Sequence, residues 1–416
     1  MKFKRFIKPS FLKEIGRELL GRFFEPLAES LRAKGILLPG AEVEVERFYE
    51  ELAAVAKSPD ALPDDVFEAL WAVEGMANPE GQERLERAKE QGMLGLEWKV
   101  DSSHGEIAMQ TYLEAPALLA AKYNELVLLR LASFEYFGTK APVDRTTSFA
   151  APTEEMLERI AGDVDAWCKA HNRGSATVRV EVSVMDGEYW FLIRHGDTYA
   201  RTAKIEGGRM RILHYRPAKD DVVVYSPRRD EIRIHTGTKG EREMYQGTFG
   251  ARLFGNPEQF SVRKAFSLEP LRRDGVMSLD CDAVGGIERI VLRECEISWG
   301  GAYNKVTSSK ADDIFLEAEA RGKQAIPEGG RLVKACFDVY FDGGKKPRRV
   351  QLRPPNGLRV GRYCDVATLQ RWLSEKGFRD IEATGPGLTP RLGSLHLLLP
   401  SPRGTEPTIK VTQESN

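Results

Sequence analysis

The stretch 176-ATVRVEVSVMDGEYWFLIRHGDTYARTAKIEGGRMRILHYRPAKDDVVVYSPRRDEIRIHT-236 decides the fold class. It breaks at Asp186-Gly187, Asp197-Thr198 and Gly207-Gly208 into segments of strand length, each rich in Val, Ile, Tyr or Phe and bounded by Gly, Pro or Asp. Period-two alternation between tight turns predicts an antiparallel meander, with DVVVYSP and EIRIHTG as its last two strands.

Outward from this stretch the pattern changes period. Towards the N-terminus, residues 10–34 read as a helical hairpin interrupted by Pro26 and closed by Gly35. ERFYEELAAVAKS and DDVFEALWAVEGMA each carry an apolar face, and Pro63 with Asp64-Asp65 is a start signal for the second. PALLAAKYNELVLLRLASFEYF (116–137) is expected to be the most apolar helix, and 138–153 a linker. TEEMLERIAGDVDAWCKAHNRG predicts a helix capped by Thr153, with His171 placed structurally at its C-terminal end.

On the C-terminal side, a short helix is expected near Glu241–Phe249, and Gly247, Gly250 and Gly255 match no phosphate loop. Strands are expected in VMSLDCDAV, IERIVLRECEISW, GRLVKACFDVYF and PRRVQLRPP, the last two joined by a turn at Asp342-Gly343-Gly344. A helix over 365–376 follows, then a strand pair in SLHLLLP and TIKVTQ. The fold class is therefore α+β. The expected division is a helical domain over 1–140, an antiparallel β domain over 150–300, a C-terminal α+β region over 301–400 and a tail over 401–416.

Composition narrows the function classes. A formal net charge of −1 over 416 residues gives no global pull towards polyanions or membranes. The basic N-terminus lacks the apolar core of a signal peptide, and no apolar run reaches the roughly 18 residues of a membrane span. Five widely spaced cysteines without a Cys-x-x-Cys pair point to reduced, buried thiols in a cytoplasmic protein, with no zinc site and no cofactor.

Local charge is less even. Residues 41–90 hold fourteen acidic and five basic side chains, a surface suited to a basic protein partner. Residues 342–362 hold Lys345, Lys346, Arg348, Arg349, Arg353, Arg359 and Arg362 against Asp342 alone. This basic hairpin followed by a helix resembles a winged-helix unit, which implies contact with nucleic acid. A second basic run comprises Arg201, Lys204, Arg209, Arg211 and Arg216; on one side with the first it would form a footprint for phosphates.

FLIRHGDT (191–198) resembles the N-terminal signature of the histidine phosphatase superfamily. The resemblance implies His195 as a nucleophile that is transiently phosphorylated and Arg194 as a phosphate ligand. That family follows its motif with a helix; here strands follow, so Arg194 and His195 are read as strand-end residues, with catalysis as the alternative. Asp280 and Asp282 on one expected strand, with Glu294 and Glu296 on another, are the alternative metal-dependent hydrolase site. The leading expectation is a non-enzymatic adaptor of a bacterial multi-protein system, holding nucleic acid on its basic C-terminal surface and a protein on its acidic helices. A protein-only scaffold is the third reading.

Overall fold

The computed structural model describes residues 4–33, 38, 44–57, 62–129, 133–139, 149, 152–344, 346–361 and 364–379. They fall into two compact units, one ending at Leu126 and one beginning at Val127. The chain is α+β.

The first unit is helical: α1 (Pro9–Ile15), α2 (Arg17–Phe24), α3 (Ala28–Ala33), α4 (Val45–Ala56), α5 (Asp64–Met76), α6 (Pro79–Glu90), α7 (His104–Glu114) and α8 (Pro116–Leu129), which crosses the boundary. Phe11, Leu12, Leu20, Phe48, Leu52, Leu70, Val73, Ile107 and Met109 form its buried core. The starts follow local chemistry. Pro63 precedes α5 with Asp64 and Asp65 in the first turn, and Ser103 Oγ accepts the Glu106 amide 3.0 Å away at the head of α7.

The stretch expected as one helix over 116–137 is corrected: the helix ends at Leu129 and β1 (Ser133–Thr139) follows. Ser-Phe-Glu-Tyr-Phe alternates with period two, and the sheet claims it. Then come α9 (Glu154–Ala170), β2 (Arg179–Met185), β3 (Glu188–Gly196), β4 (Ala200–Glu206), β5 (Arg209–Tyr215), β6 (Ala218–Ser226), β7 (Glu231–His235), α10 (Lys239–Phe254), β8 (Phe260–Val262) and α11 (Pro270–Arg273). The remainder is β9 (Ile287–Gly300), β10 (Lys305–Lys310), α12 (Ile314–Ala320), β11 (Arg331–Phe341), β12 (Arg348–Arg353), β13 (Gly357–Val360) and α13 (Val366–Glu375). The strand pair expected in 394–400 and 408–413 lies outside the described residues, as does most of the linker expected over 138–153.

Eleven strands form one antiparallel sheet in the order β10-β9-β11-β12-β13-β1-β7-β6-β3-β2, with β8 pairing β1 beyond β13. The expected meander is thus broken once. β3 pairs β6, and β4–β5 leave the sheet as a separate two-stranded ribbon.

The two halves of the sheet carry their largest buried clusters on opposite faces, and β3 and β6 bury Trp190, Leu192, Val222 and Val224 on their second face as well. Over β1, β7, β6 and β3, helices α9 and α10 cover Phe137, Ile232, Ile234, Val223, Tyr225, Phe191 and Ile193 with Ile160, Val164, Cys168, Tyr245 and Phe249. Over β9 and β11–β13, the other face packs Phe337, Val339, Val350, Leu352 and Leu358 with Leu369, Trp372 and Leu373 of α13. The expected turn at 342–344 does join β11 to β12.

The strand expected in VMSLDCDAV is corrected to a 3-10 turn over Gly275–Leu279 followed by loop. Gly275 sits at φ +56°, Ser278 Oγ donates to its carbonyl at 2.6 Å, and Leu279, Cys281 and Val284 turn inward without a ladder. Likewise α10 is longer than expected. Thr238 and Glu241 form a reciprocal capping box that starts the helix at Lys239.

No helix among the described residues is long and apolar enough to cross a membrane. All five cysteines are free; four are buried and Cys364 is half-buried.

Candidate functional site

Antiparallel pairing sends cross-strand partners to the same face and sequence neighbours to opposite faces. His195 pairs Lys219 and Ile193 pairs Asp221, so His195, Lys219 and Asp221 lie under α9 and α10. Arg194 pairs Asp220 on the opposite face, where its Nε and Nη2 donate to the two carboxylate oxygens at 2.8 and 3.2 Å. The arrangement gives Arg194 and His195 no common phosphate site.

His195 is the centre of a buried charge network. Its Nε2 lies 2.9 Å from Asp221 Oδ2 and its Nδ1 2.8 Å from the Gly196 carbonyl. Burial opposes its charge, but the Asp221 carboxylate, the Cys168 sulfur and the Gly196 carbonyl outweigh it, and the pKa is pushed up to about 10. Both ring nitrogens therefore carry protons and donate at neutral pH, which leaves no lone pair for attack.

Asp221 Oδ2 also accepts from Thr236 Oγ1 at 2.9 Å and from Tyr245 Oη at 3.0 Å. Burial and the neighbouring Asp221 hold the Tyr245 phenol well above its usual pKa, so it stays a neutral donor. Lys219 Nζ sits 3.1 Å from Asp221 Oδ1 and 2.6 Å from Glu241 Oε1. Glu241, fully buried as the third residue of α10, is further bonded by Arg173, Thr236 and Thr238. Burial works against its charge, yet the Lys219 ammonium and the two hydroxyls bring its pKa down to about 2.

Arg173 also faces Asp197 at 3.6 Å. Three cations (Arg173, His195, Lys219) thus balance three carboxylates (Asp197, Asp221, Glu241). Donor atoms of His195, Asp221 and Glu241 lie within 4.8 Å of one another, a spacing that could hold a metal ion. In the arrangement present, the Lys219 ammonium bridges the two carboxylates and the Nε2 proton faces Asp221. The protein's own cations supply the charge that a metal would bring. The network fixes positions.

What it fixes is the root of the β4–β5 ribbon. Gly196 and Ala218 are the last paired residues before the chain leaves the sheet. Beyond them the Asp197 amide donates to the Pro217 carbonyl at 2.8 Å. Arg216 Nη1 donates to the carbonyls of Asn172 at 2.8 Å and Asp197 at 2.7 Å. A Cβ on Gly196 would meet the Arg173 carbonyl oxygen at 2.5 Å, so the glycine of the Arg-His-Gly string serves close backbone approach.

The basic hairpin divides by the same face rule. Arg349, Gln351 and Arg353 of β12, with Arg359 opposite Gln351 on β13, share the face that α9 and α10 cover farther along the sheet. Arg349, Arg353 and Arg359 are exposed, and Arg349 Nε donates to Asp338 at 2.8 Å. Arg348 points to the other face and is half-buried, while Lys346 is exposed in the turn region before β12. Lys345 and Arg362 lie outside the described residues. Arg359 faces Ser133 of β1, at the sheet end that also carries His235, Gly196 and Ala218. The ribbon and the Arg349/Arg359 end of the basic strip therefore share one end of the sheet.

The acidic pairs expected on strands separate differently. Asp280 and Asp282 stand in a loop, and Lys376 Nζ holds Asp280 Oδ2 at 2.7 Å. Glu294 and Glu296 on β9 bracket Lys334 Nζ at 2.7 and 2.9 Å. His171 caps α9 as expected, with Nδ1 2.8 Å from the Trp167 carbonyl and its ring stacked on Trp167. The residues missed by sequence reasoning are Arg173, Lys219, Asp221 and Glu241. Only Glu241 leaves a local signal, the Thr-x-x-Glu capping box. No protein-family model matches the chain, and no curated protein matches it in sequence.

Proposed function

We propose that the chain is a nucleic-acid-binding adaptor, with a cationic sheet surface for phosphates and an acidic helical unit for a basic protein partner. The observation that carries the first half is Arg353 and Arg359. Both are exposed, and neither has a carboxylate at ion-pair distance among the described residues. A guanidinium's planar fork gives up less rotamer freedom per hydrogen bond than an ammonium does, and neutralising phosphate releases its counterions. Lys346 and Arg349 extend the strip. In the helical unit, Glu50, Asp64, Asp65 and Glu68 are exposed within the acidic run, which supports the protein half.

The test is a fluorescence titration of the intact protein against single- and double-stranded DNA and RNA at about 50 and about 200 mM salt. Affinity that falls steeply with salt, and is lost in the Arg353→Glu/Arg359→Glu protein, is the expected result. No binding at the lower salt retires the nucleic-acid reading and leaves a protein scaffold or an enzyme.

A further inference from the structure

The β4–β5 ribbon owes nothing to the core of its own unit. Every residue of β5 is exposed, and Ile205 and Met210, paired at the tip, are 82% and 74% exposed. Gly207 and Gly208, both at positive φ, close the tight turn that suits a right-handed ribbon. Register sorts its side chains in two sets. Ala203, Ile205, Met210 and Ile212 form a face that is apolar towards the tip, with Arg201 and His214 at its base; Lys204, Arg209 and Arg211 point from the other.

Five basic residues stand between Tyr199 and Arg216 against Glu206 alone. Such a surplus repels a second copy of the same arm and attracts a polyanion. Lys204 sits on one strand and Arg209 and Arg211 on the other, so their long stems can curl round both edges towards two phosphate rails while the apolar face meets base edges between them. Isoleucine and methionine are side chains that minor-groove proteins wedge between base steps, with arginine and lysine alongside.

We infer that the β4–β5 ribbon is a groove-inserting arm for double-stranded DNA, its Ile205–Met210 tip unstacking a base step and its Lys204, Arg209 and Arg211 holding the flanking phosphates. The inference rests on the nucleic-acid reading above and adds the ligand form and a bend. A-form RNA presents a different pair of grooves, one too narrow for side chains and one shallow. The buried network at the ribbon's root is then the mount that keeps an otherwise unsupported arm at a set angle.

The experiment is energy transfer across a short DNA duplex labelled at both ends, read with affinity and its salt slope. The intact protein should raise transfer on binding. Ile205→Ala/Met210→Ala should abolish most of that rise while changing Kd less than about tenfold, because phosphates carry most of the affinity. Arg209→Gln/Arg211→Gln should make the log–log salt slope shallower by about 2. All four positions are exposed, so folding survives the changes.

Binding without a change in transfer, or an unchanged rise in the alanine protein, would overturn the wedge and leave nucleic-acid binding standing. No binding by the intact protein would remove both. A dimer that dissociates in the alanine protein would assign the apolar face to a second copy and also overturn the inference.

Discussion

His195 Nε2 and Asp221 Oδ2 stand 2.9 Å apart on adjacent strands, both side chains almost wholly shielded from solvent. This pair ties the Arg-His-Gly string of β3 to β6, with the imidazole edge turned to the carboxylate.

Stability should follow pH accordingly. The His195 pKa rises from 6.5 to about 10, so its contribution is complete below pH 6.5 and is lost as pH climbs through 10. The Glu241 pKa falls from 4.5 to about 2, so its contribution is complete above pH 4.5 and is lost as pH drops through 2. Both are complete between pH 4.5 and 6.5. Melting curves should peak there, and His195→Gln should remove one proton's slope, about 1.4 kcal/mol per pH unit, from the alkaline limb. An unchanged alkaline limb would refute the charged imidazole.

Glu241→Gln keeps the shape of the side chain and removes the charge between Lys219 and Arg173. Breaking a buried pair from one side costs about 3–5 kcal/mol. Urea unfolding should show a loss of that order, and a loss below about 1 kcal/mol would mean that water already reaches the site.

Gly196→Ala places a methyl against the Arg173 carbonyl oxygen. The expected cost is about 1–3 kcal/mol, with the ribbon's root displaced. Amide exchange at Asp197, whose N–H bonds to the Pro217 carbonyl, reports it directly: protection should fall there and persist at Phe191.

Excising the ribbon, Tyr199–Tyr215 replaced by Gly-Gly, should move the melting temperature by only about 1–2 °C, as for surface changes without buried contacts. Trp372→Ala, by contrast, opens the core between α13 and the sheet and should cost about 3–5 kcal/mol. A large loss on excision would show that the ribbon is packed against something in solution.

Strand positions are legible because period-two alternation records the pleat, and β2, β3, β6, β7, β11 and β12 fall where the pattern puts them. Pairing order is less legible. Ile205, Ile212 and Met210 alternate just as Phe191 and Ile193 do, yet the first set faces solvent and the second a helix. Alternation shows that a face is apolar and is silent on what covers it. The network was hidden for another reason: Arg173, His195, the Lys219/Asp221 pair of β6 and Glu241 come from four places in the chain, and only the fold brings them together. Asp280 and Asp282 misled because tight turns around Gly275 bury alternate residues without a strand.

β1 stands between β13 and β7, with Tyr136 hydrogen-bonded to Asn356, 220 residues later. During synthesis, then, this segment meets β7 after about 100 further residues, but its other edge must stay bare until β13, near the end of the second unit, has emerged. It is the seam on which the two halves of the sheet are sewn last, and a chain begun at residue 150 would lack the thread.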